Sequence, residues 1–318
     1  MENTLTINHS FWMDVIDGLQ SKPKKLPSKY FYNKKGDFLF QKIMEQPEYY
    51  LTRSEMEILQ NHSDEIISNI NTKKGIRLVE PGAGDGKKTF HLAKSILKKI
   101  QNSLFSPIDI SENIINVLKS NFNNWIPELK IDPIICDYYH INDHLPHDEK
   151  TNLMIFLGSN LGNYNEYESI EIIEKFTECL NPGDYFLLGV DLVKNPNLIY
   201  SAYNDKNGYT SEFNLNLLDR INSELNANFD IEKFFHYPIY NPLKQQAESY
   251  LVSKEDQYIN IINCDKTFHI SKWEPIHTEI SKKFTPDDID HLAKNSKMKI
   301  VNNYFDSKDY FVCSLWKK

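Results

Sequence analysis

Residues 78–89 read "LVEPGAGDGKKT", three glycines at alternate positions directly after an apolar run that closes on an acid. Residues 76–80 have the composition of a buried parallel strand, and residues 87–100, "KKTFHLAKSILKKI", repeat apolar side chains at helical spacing. The stretch is therefore a strand, a glycine turn and a helix. Such a turn aims backbone N–H groups beyond the strand end, and glycine removes the Cβ that would block a ligand's approach. Two familiar patterns fail here. The nicotinamide fingerprint needs a glycine where Lys87 stands, and the P-loop needs four residues between its glycines before Gly-Lys-Ser/Thr.

Further strand and helix units follow. "SPIDIS" (106–111) holds a short strand ending near Asp109, then the helical "ENIINVLKSNF"; "IDPIICDYY" (131–139) holds another ending near Asp137. "TNLMIFLGSNLGNY" (151–164) is the most apolar strand and opens into a glycine turn before the helical "YESIEIIEKFTECL", and "NPGDYFLLGVDL" (181–192) supplies a fifth strand. This alternation predicts an α/β, Rossmann-like parallel sheet with helices on both faces. The C-terminal "MKIVNNYFDSKDYFVCSLWKK" reads as two strands that finish the sheet with an antiparallel edge. Ligands of such sheets bind beyond the C-terminal strand ends. Glu80, Asp109 and Asp137 fall at three successive ends. An acid after the second strand accepts from ribose hydroxyls and one after the third from an adenine amino group, so the set points to an adenosine cofactor.

The 318 residues carry a formal net charge of −8, with 40% hydrophobic and 25% charged side chains. That composition is globular, and the absence of a dense basic cluster argues against nucleic acid as a partner. No window of about 18 apolar residues exists, and the acidic start "MENTLTINHSFWMDVIDGLQ" does not resemble a signal peptide. A cytoplasmic protein without a membrane partner, and a monomer, is expected. Cys136, Cys179, Cys264 and Cys313 are too scattered for a zinc knuckle and are read as reduced thiols. His140, His144 and His147 lie close together, but Pro146 breaks any common helical face, so no metal site is expected.

Four segments result: a helical N-terminal substrate lid at 1–72, a cofactor-binding Rossmann-like domain at 73–194, a substrate-binding insertion at 195–290 between the fifth and sixth strands, and C-terminal strands at 291–318. An insertion of that length is a domain or cap rather than a loop.

The glycine stretch matches E-x-G-x-G-x-G, the first motif of S-adenosylmethionine-dependent methyltransferases. Further matches keep their order along almost the whole chain: the tyrosine-rich "YFYNKKGDFLFQKIMEQPEYYLTRSE", "GSNLGN" at 158–163, "DLVK" at 191–194, "AYND" followed by "FNLN", and "TEISKKF". Together they resemble the histidine-specific S-adenosylmethionine methyltransferase family. The resemblance implies cofactor contacts by Glu80, Gly82, Gly84, Lys88, Asp109, Asp137 and Tyr138. It implies an amino-acid site of Tyr32, Tyr49, Gly158, Asn163, Tyr203, Ser249, Glu279 and Ser281, with Tyr32, Asn163 and Glu279 assigned to catalysis. In the family the asparagine and the A-Y tyrosine hold the substrate carboxylate, while the T-E-I-S glutamate and serine grip the imidazole. The implied reaction is methylation of the α-amino group of free L-histidine, one to three times.

The residue chemistry suits those roles. Glu279 and Ser281 are two apart, so on a strand they share a face and address one small ring. Ser249 departs from the family, which carries a methionine there, and serine is expected to widen and wet that wall. A modified histidine or a tryptophan derivative is therefore the alternative substrate. A non-catalytic cofactor- or amino-acid-binding relative is the alternative class.

Overall fold

The computed structural model describes residues 2–146 and 148–318. Helices α1 (Glu2–Gln20), α2 (Lys34–Met44) and α3 (Leu51–Ser68) precede strand β1 (Ile76–Pro81). Then come α4 (Thr89–Lys99), β2 (Leu104–Ile108), α5 (Glu112–Trp125), β3 (Lys130–Ile131), the short α6 (Ile141–His144), β4 (Thr151–Phe156), α7 (Glu166–Glu178) and β5 (Tyr185–Asp191). Helices α8 (Pro196–Ala202) and α9 (Tyr209–Leu225) lead to β6 (Phe234–Asn241), β7 (Gln246–Ser253), β8 (Gln257–Ile261), β9 (Lys266–Ile270) and β10 (Pro275–Lys282). The chain closes with α10 (Pro286–Asn295), β11 (Lys299–Phe305) and β12 (Phe311–Lys317).

Two compact units form: Met1–Tyr50 with Lys194–Lys282, and Leu51–Val193 with Lys283–Lys318. These boundaries differ from those read at 72 and 290. Helix α3 joins the second unit because its inward stripe, Leu51, Ser54, Glu55, Ile58 and Leu59, is buried there, with Ser54 Oγ donating to Asp306 Oδ2 at 3.2 Å. Helix α10 joins it too, lying on α7 and β11.

The second unit is built on a seven-stranded sheet of order β11-β12-β5-β4-β1-β2-β3. Strands β1 to β5 pair in parallel, whereas β12 is antiparallel to both β5 and β11. Every residue of β1 and β5 is buried, as parallel strands covered on both faces require. The outermost C-terminal strand is β11. The last strand, β12, lies inside the sheet, which explains why "FVCSLW" is buried along its length. Strand β3 is shorter than its sequence suggests, because Pro107 on β2 has no N–H to give the Asp132 carbonyl; bonds from Asp132 N to Phe105 O (2.8 Å) and Ile134 N to Pro107 O (3.0 Å) carry the chain on. Asp137 consequently sits in the loop beyond.

The first unit has a three-stranded antiparallel sheet, β10-β7-β6, and the hairpin β8-β9. Helix α9 lies against β6 and beside α2, and Phe31, Leu39, Phe213, Leu217, Leu251 and Ile276 share one apolar core. The N-terminal arm is tied to β10 by Leu26 N to His277 O (2.8 Å) and His277 N to Lys24 O (3.0 Å). Thus the N-terminal segment and the insertion fold as one body.

Candidate active site

In the sheet unit the turn after β1 carries Gly82, Gly84 and Gly86 at φ of +69°, +55° and +75°, the left-handed region that favours glycine. A Cβ on Gly82 would stand 2.4 Å from the Tyr138 hydroxyl, while one on Gly84 would meet nothing within 4 Å. The turn is therefore clamped at its root and open in front, as a small ligand reached by backbone N–H groups requires. Glu80 is buried and accepts from Thr89 Oγ1 at 2.5 Å. Burial pushes its carboxyl up to about 8, the charges of Glu55 and Asp85 add, and Thr89 and Lys88 oppose.

Asp109 follows β2, where Oδ1 accepts from Ser111 N at 2.8 Å and burial raises its pKa. Asp137 Oδ1 lies 2.7 Å from His140 Nδ1. Tyr138 sits in the adjoining 3₁₀ turn with its ring edge-on to Phe176 at 5.5 Å, and burial raises its phenol. A bare glycine turn with acids past β1 and β2 and an aromatic beside it fits S-adenosylmethionine. Asp109 would take the ribose hydroxyls, and Asp137 with Tyr138 would flank the adenine.

Lys88, just before α4, sends Nζ to Glu55 Oε2 at 2.5 Å, an ion-pair contact without hydrogen-bond alignment. Glu55 is 0% exposed, and its Oε1 accepts from Gly158 N at 2.7 Å. One buried carboxylate so joins a cofactor-site lysine to the glycine of "GSNLGN". Sequence reading passed over Glu55. The available signal was an acid on the apolar stripe of α3, and Gly189 was its counterpart, since a Cβ there would stand 2.3 Å from Glu55 Oε1. Gly158 has φ +84° and precedes the 3₁₀ turn Asn160–Asn163, so both substrate-site residues of this unit lie on one turn after β4.

The other six residues expected at the substrate site belong to the first unit. Tyr32, Phe40 and Tyr49 form an aromatic chain with centroid spacings of 5.7 and 6.2 Å, and Phe213 lies 5.6 Å from Tyr32. Arg220 Nη1 donates to the Tyr30 and Tyr32 carbonyls at 3.0 and 3.2 Å and fixes that backbone. Tyr32 keeps 45% of its surface exposed, yet the protein crowded around its phenol raises the pKa, and the Glu279 charge adds to the rise. Tyr203 OH donates to Ser281 Oγ at 2.6 Å.

Glu279 and Ser281 face their β7 partners Ser249 and Ala247 because the register of β10 slips between His277 and Glu279. A bulge at Thr278 absorbs the extra residue. Its hydroxyl lies 2.8 Å from Asn214 Oδ1 and 3.0 Å from Ser249 O. The motifs thereby acquire reasons. Asn214 of "FNLN" props the bulge, and Asn216 donates to Asn33 Oδ1 at 3.0 Å, the cap of α2 beside Tyr32. Asp205 of "AYND" caps α9, accepting from Tyr209 N and Thr210 N at 2.9 and 2.8 Å. Asp191 of "DLVK" and Lys283 of "TEISKKF" pair at 3.0 Å.

Ser249 is 1% exposed. Its hydroxyl donates to Glu279 Oε2 at 3.4 Å and lies 3.1 Å from His236 Nε2. An imidazole therefore stands beside the shortened side chain where an opened, wet wall was expected. Burial lowers the His236 pKa to about 4 against the charge of Asp205, so the ring is neutral near pH 7.

Among the described residues no three His, Cys, Asp or Glu side chains are grouped to hold a metal; His147 lies outside them. No helix among them is long and apolar enough to cross a membrane.

Residues 11–318 match the family model described as "Histidine-specific methyltransferase, SAM-dependent". The chain is 34% identical to the histidine N-alpha-methyltransferase of Mycolicibacterium smegmatis over 87% of its own length and 85% of that protein. It is 32% identical to ergothioneine biosynthesis protein 1 of Neurospora crassa over 66% of its length and 24% of that longer protein. Among solved structures, an S-adenosylmethionine-dependent methyltransferase from Clostridium acetobutylicum superposes with a TM-score of 0.47 at 12% identity, covering 87% of this chain and 97% of that one. With its sheet order, glycine turn and family match in agreement, the chain belongs to the histidine-specific, S-adenosylmethionine-dependent methyltransferases.

Proposed function

We propose that the enzyme methylates the α-amino group of free L-histidine, one to three times, as a step of ergothioneine formation. The observation that carries this reading is the bulged β10, which sets Glu279 and Ser281 on one face with Tyr203 bonded to Ser281. A carboxylate accepts from an imidazole N–H, and a hydroxyl matches whichever tautomer the ring presents.

When bound, S-adenosylmethionine supplies a methyl group already activated on a sulfonium, which the amine lone pair takes in line as the carbon–sulfur bond breaks. The protein's part is to position the amine and keep the site dry. Tyr203 holds the carboxylate of the amino acid. Glu279 and Ser281 hold its ring. The attacking amine must be neutral, although a free α-amino group is mostly protonated near neutrality. Tyr32, like any phenol, keeps its proton near neutrality, so it orients the amine as a hydrogen-bond partner and passes the released proton through water.

Mass spectrometry of the protein incubated with S-adenosylmethionine and the twenty amino acids tests the reading. Histidine should gain one to three methyl masses at its α-nitrogen, and Glu279→Ala should lower kcat/KM for histidine about 10- to 100-fold, the worth of a charged hydrogen bond. Binding of the cofactor with transfer only to another amino acid overturns the substrate.

A further inference from the structure

His236 lies on β6, where Pro238 pairs with Ser249 and Ser249 pairs in turn with Glu279 on β10. Residues two apart on a strand share a face, so His236, Pro238, Ser249 and Glu279 all stand on one side of the sheet. The hydrogen bonds along this row have one satisfying direction. A carboxylate is an acceptor only, and a serine has a single proton. Ser249 gives that proton to Glu279 across 3.4 Å, so its oxygen must receive one from His236 Nε2 across 3.1 Å. If His236 accepted instead, two acceptors would face each other at Ser249 and Glu279.

We propose that His236 is a positioning residue for substrate specificity: its Nε2–H fixes the Ser249 hydroxyl, which in turn aims the Glu279 carboxylate at the substrate ring. The pair does by hydrogen bonding what a long apolar side chain at position 249 would do by packing. The inference rests on the reading of Glu279 as the ring-gripping group. His236 need not touch the substrate, and its loss acts through Glu279 alone. Binding of the amino acid should suffer in the ground and transition states alike, which raises KM and leaves kcat nearly unchanged.

The test compares His236→Leu, which removes the donor, with His236→Gln, whose side-chain N–H reaches about as far as Nε2. His236→Leu should raise KM for histidine about 10-fold, with kcat within about twofold and S-adenosylmethionine affinity unchanged. His236→Gln should restore most of the loss, and His236→Leu should add nothing in a Ser249→Ala background. An unchanged KM in His236→Leu overturns the proposal, as does an equal loss in the Leu and Gln variants.

A second measurement needs no substrate. Nitrogen NMR of the intact protein should find His236 protonated at Nε2, with that signal moving in Ser249→Ala. Protonation at Nδ1 overturns the relay. A wild-type enzyme that ignores histidine would sink the substrate reading while the tautomer result still decides this one.

Discussion

Two buried polar clusters, one in each unit, are held by different means. In the sheet unit the buried cations are ion-paired: Lys283 with Asp191 at 3.0 Å, both 0% exposed, and Arg77, 3% exposed, with the half-buried Asp148 at 2.8 Å. In the other unit the groups around Glu279 are neutral: the Tyr203, Ser249 and Ser281 hydroxyls and the His236 ring. Charge pairs fix strand ends whatever is bound. With Ser249 and His236 holding their protons in one direction, the Tyr203 and Ser281 hydroxyls would be the pair that turns to suit a ring whose own proton has two possible seats. The first arrangement builds a scaffold, and the second builds a reader.

The buried Asp191–Lys283 pair is the most sensitive point of the sheet unit. Lys283→Met takes the lysine from the buried Asp191 carboxylate and should cost about 3–5 kcal/mol of stability. Asp191→Leu combined with Lys283→Met should recover most of it, because an apolar pair of similar volume replaces both charges. Urea unfolding of the three variants decides; equal losses in single and double variants would mean the pair has a role beyond mutual compensation.

Glu80 is a second buried acid of the sheet unit, bonded to a hydroxyl rather than to a cation. Its carboxyl titrates near 4.5 in the unfolded chain and at about 8 when folded. Below 4.5 both states are protonated and stability is complete. As pH rises toward 8 the unfolded state releases a proton that the folded state keeps, so stability falls, and the fall ends once the folded group ionises. Glu80→Gln should remove that slope and be more stable than wild type above pH 8, by about 5 kcal/mol at most. Thermal melts of ligand-free protein across pH 5–9 measure it, and parallel curves for the two proteins would refute it.

The same division governs what the sequence made legible. Parallel strands, the glycine turn and the acids at strand ends follow from periodicity, because local backbone rules dictate them. The position of β12 inside the sheet does not, since edge and centre differ only in long-range pairing. In the other unit, nothing local announces that Thr278 bulges or that Asn214 props it; the motif names the residues without their geometry. Glu55 and His236 escaped notice for one reason. Each is a polar residue whose role exists only through a partner more than ten positions away, Gly158 for one and Ser249 for the other.

The weakest of these effects is expected at Tyr203 and Ser281. A phenol has one proton, and in this structure Tyr203 gives it to Ser281. If Tyr203 holds the substrate carboxylate, the proton turns to that carboxylate and Ser281 Oγ is left to accept from the ring N–H. Carboxylate recognition and ring recognition are then coupled through a single hydrogen atom. Tyr203→Phe and Ser281→Ala should each raise KM for histidine, and their effects should fail to add by about 1 kcal/mol, roughly fivefold. Histamine has the ring without the carboxylate, so as a competitive inhibitor it never asks Tyr203 to turn. Its inhibition constant should accordingly change with Ser281→Ala and show no coupling to Tyr203→Phe beyond the loss of the resting bond. Strict additivity with histidine would mean that the two hydroxyls act separately, and the neutral unit would then be as fixed as the charged one.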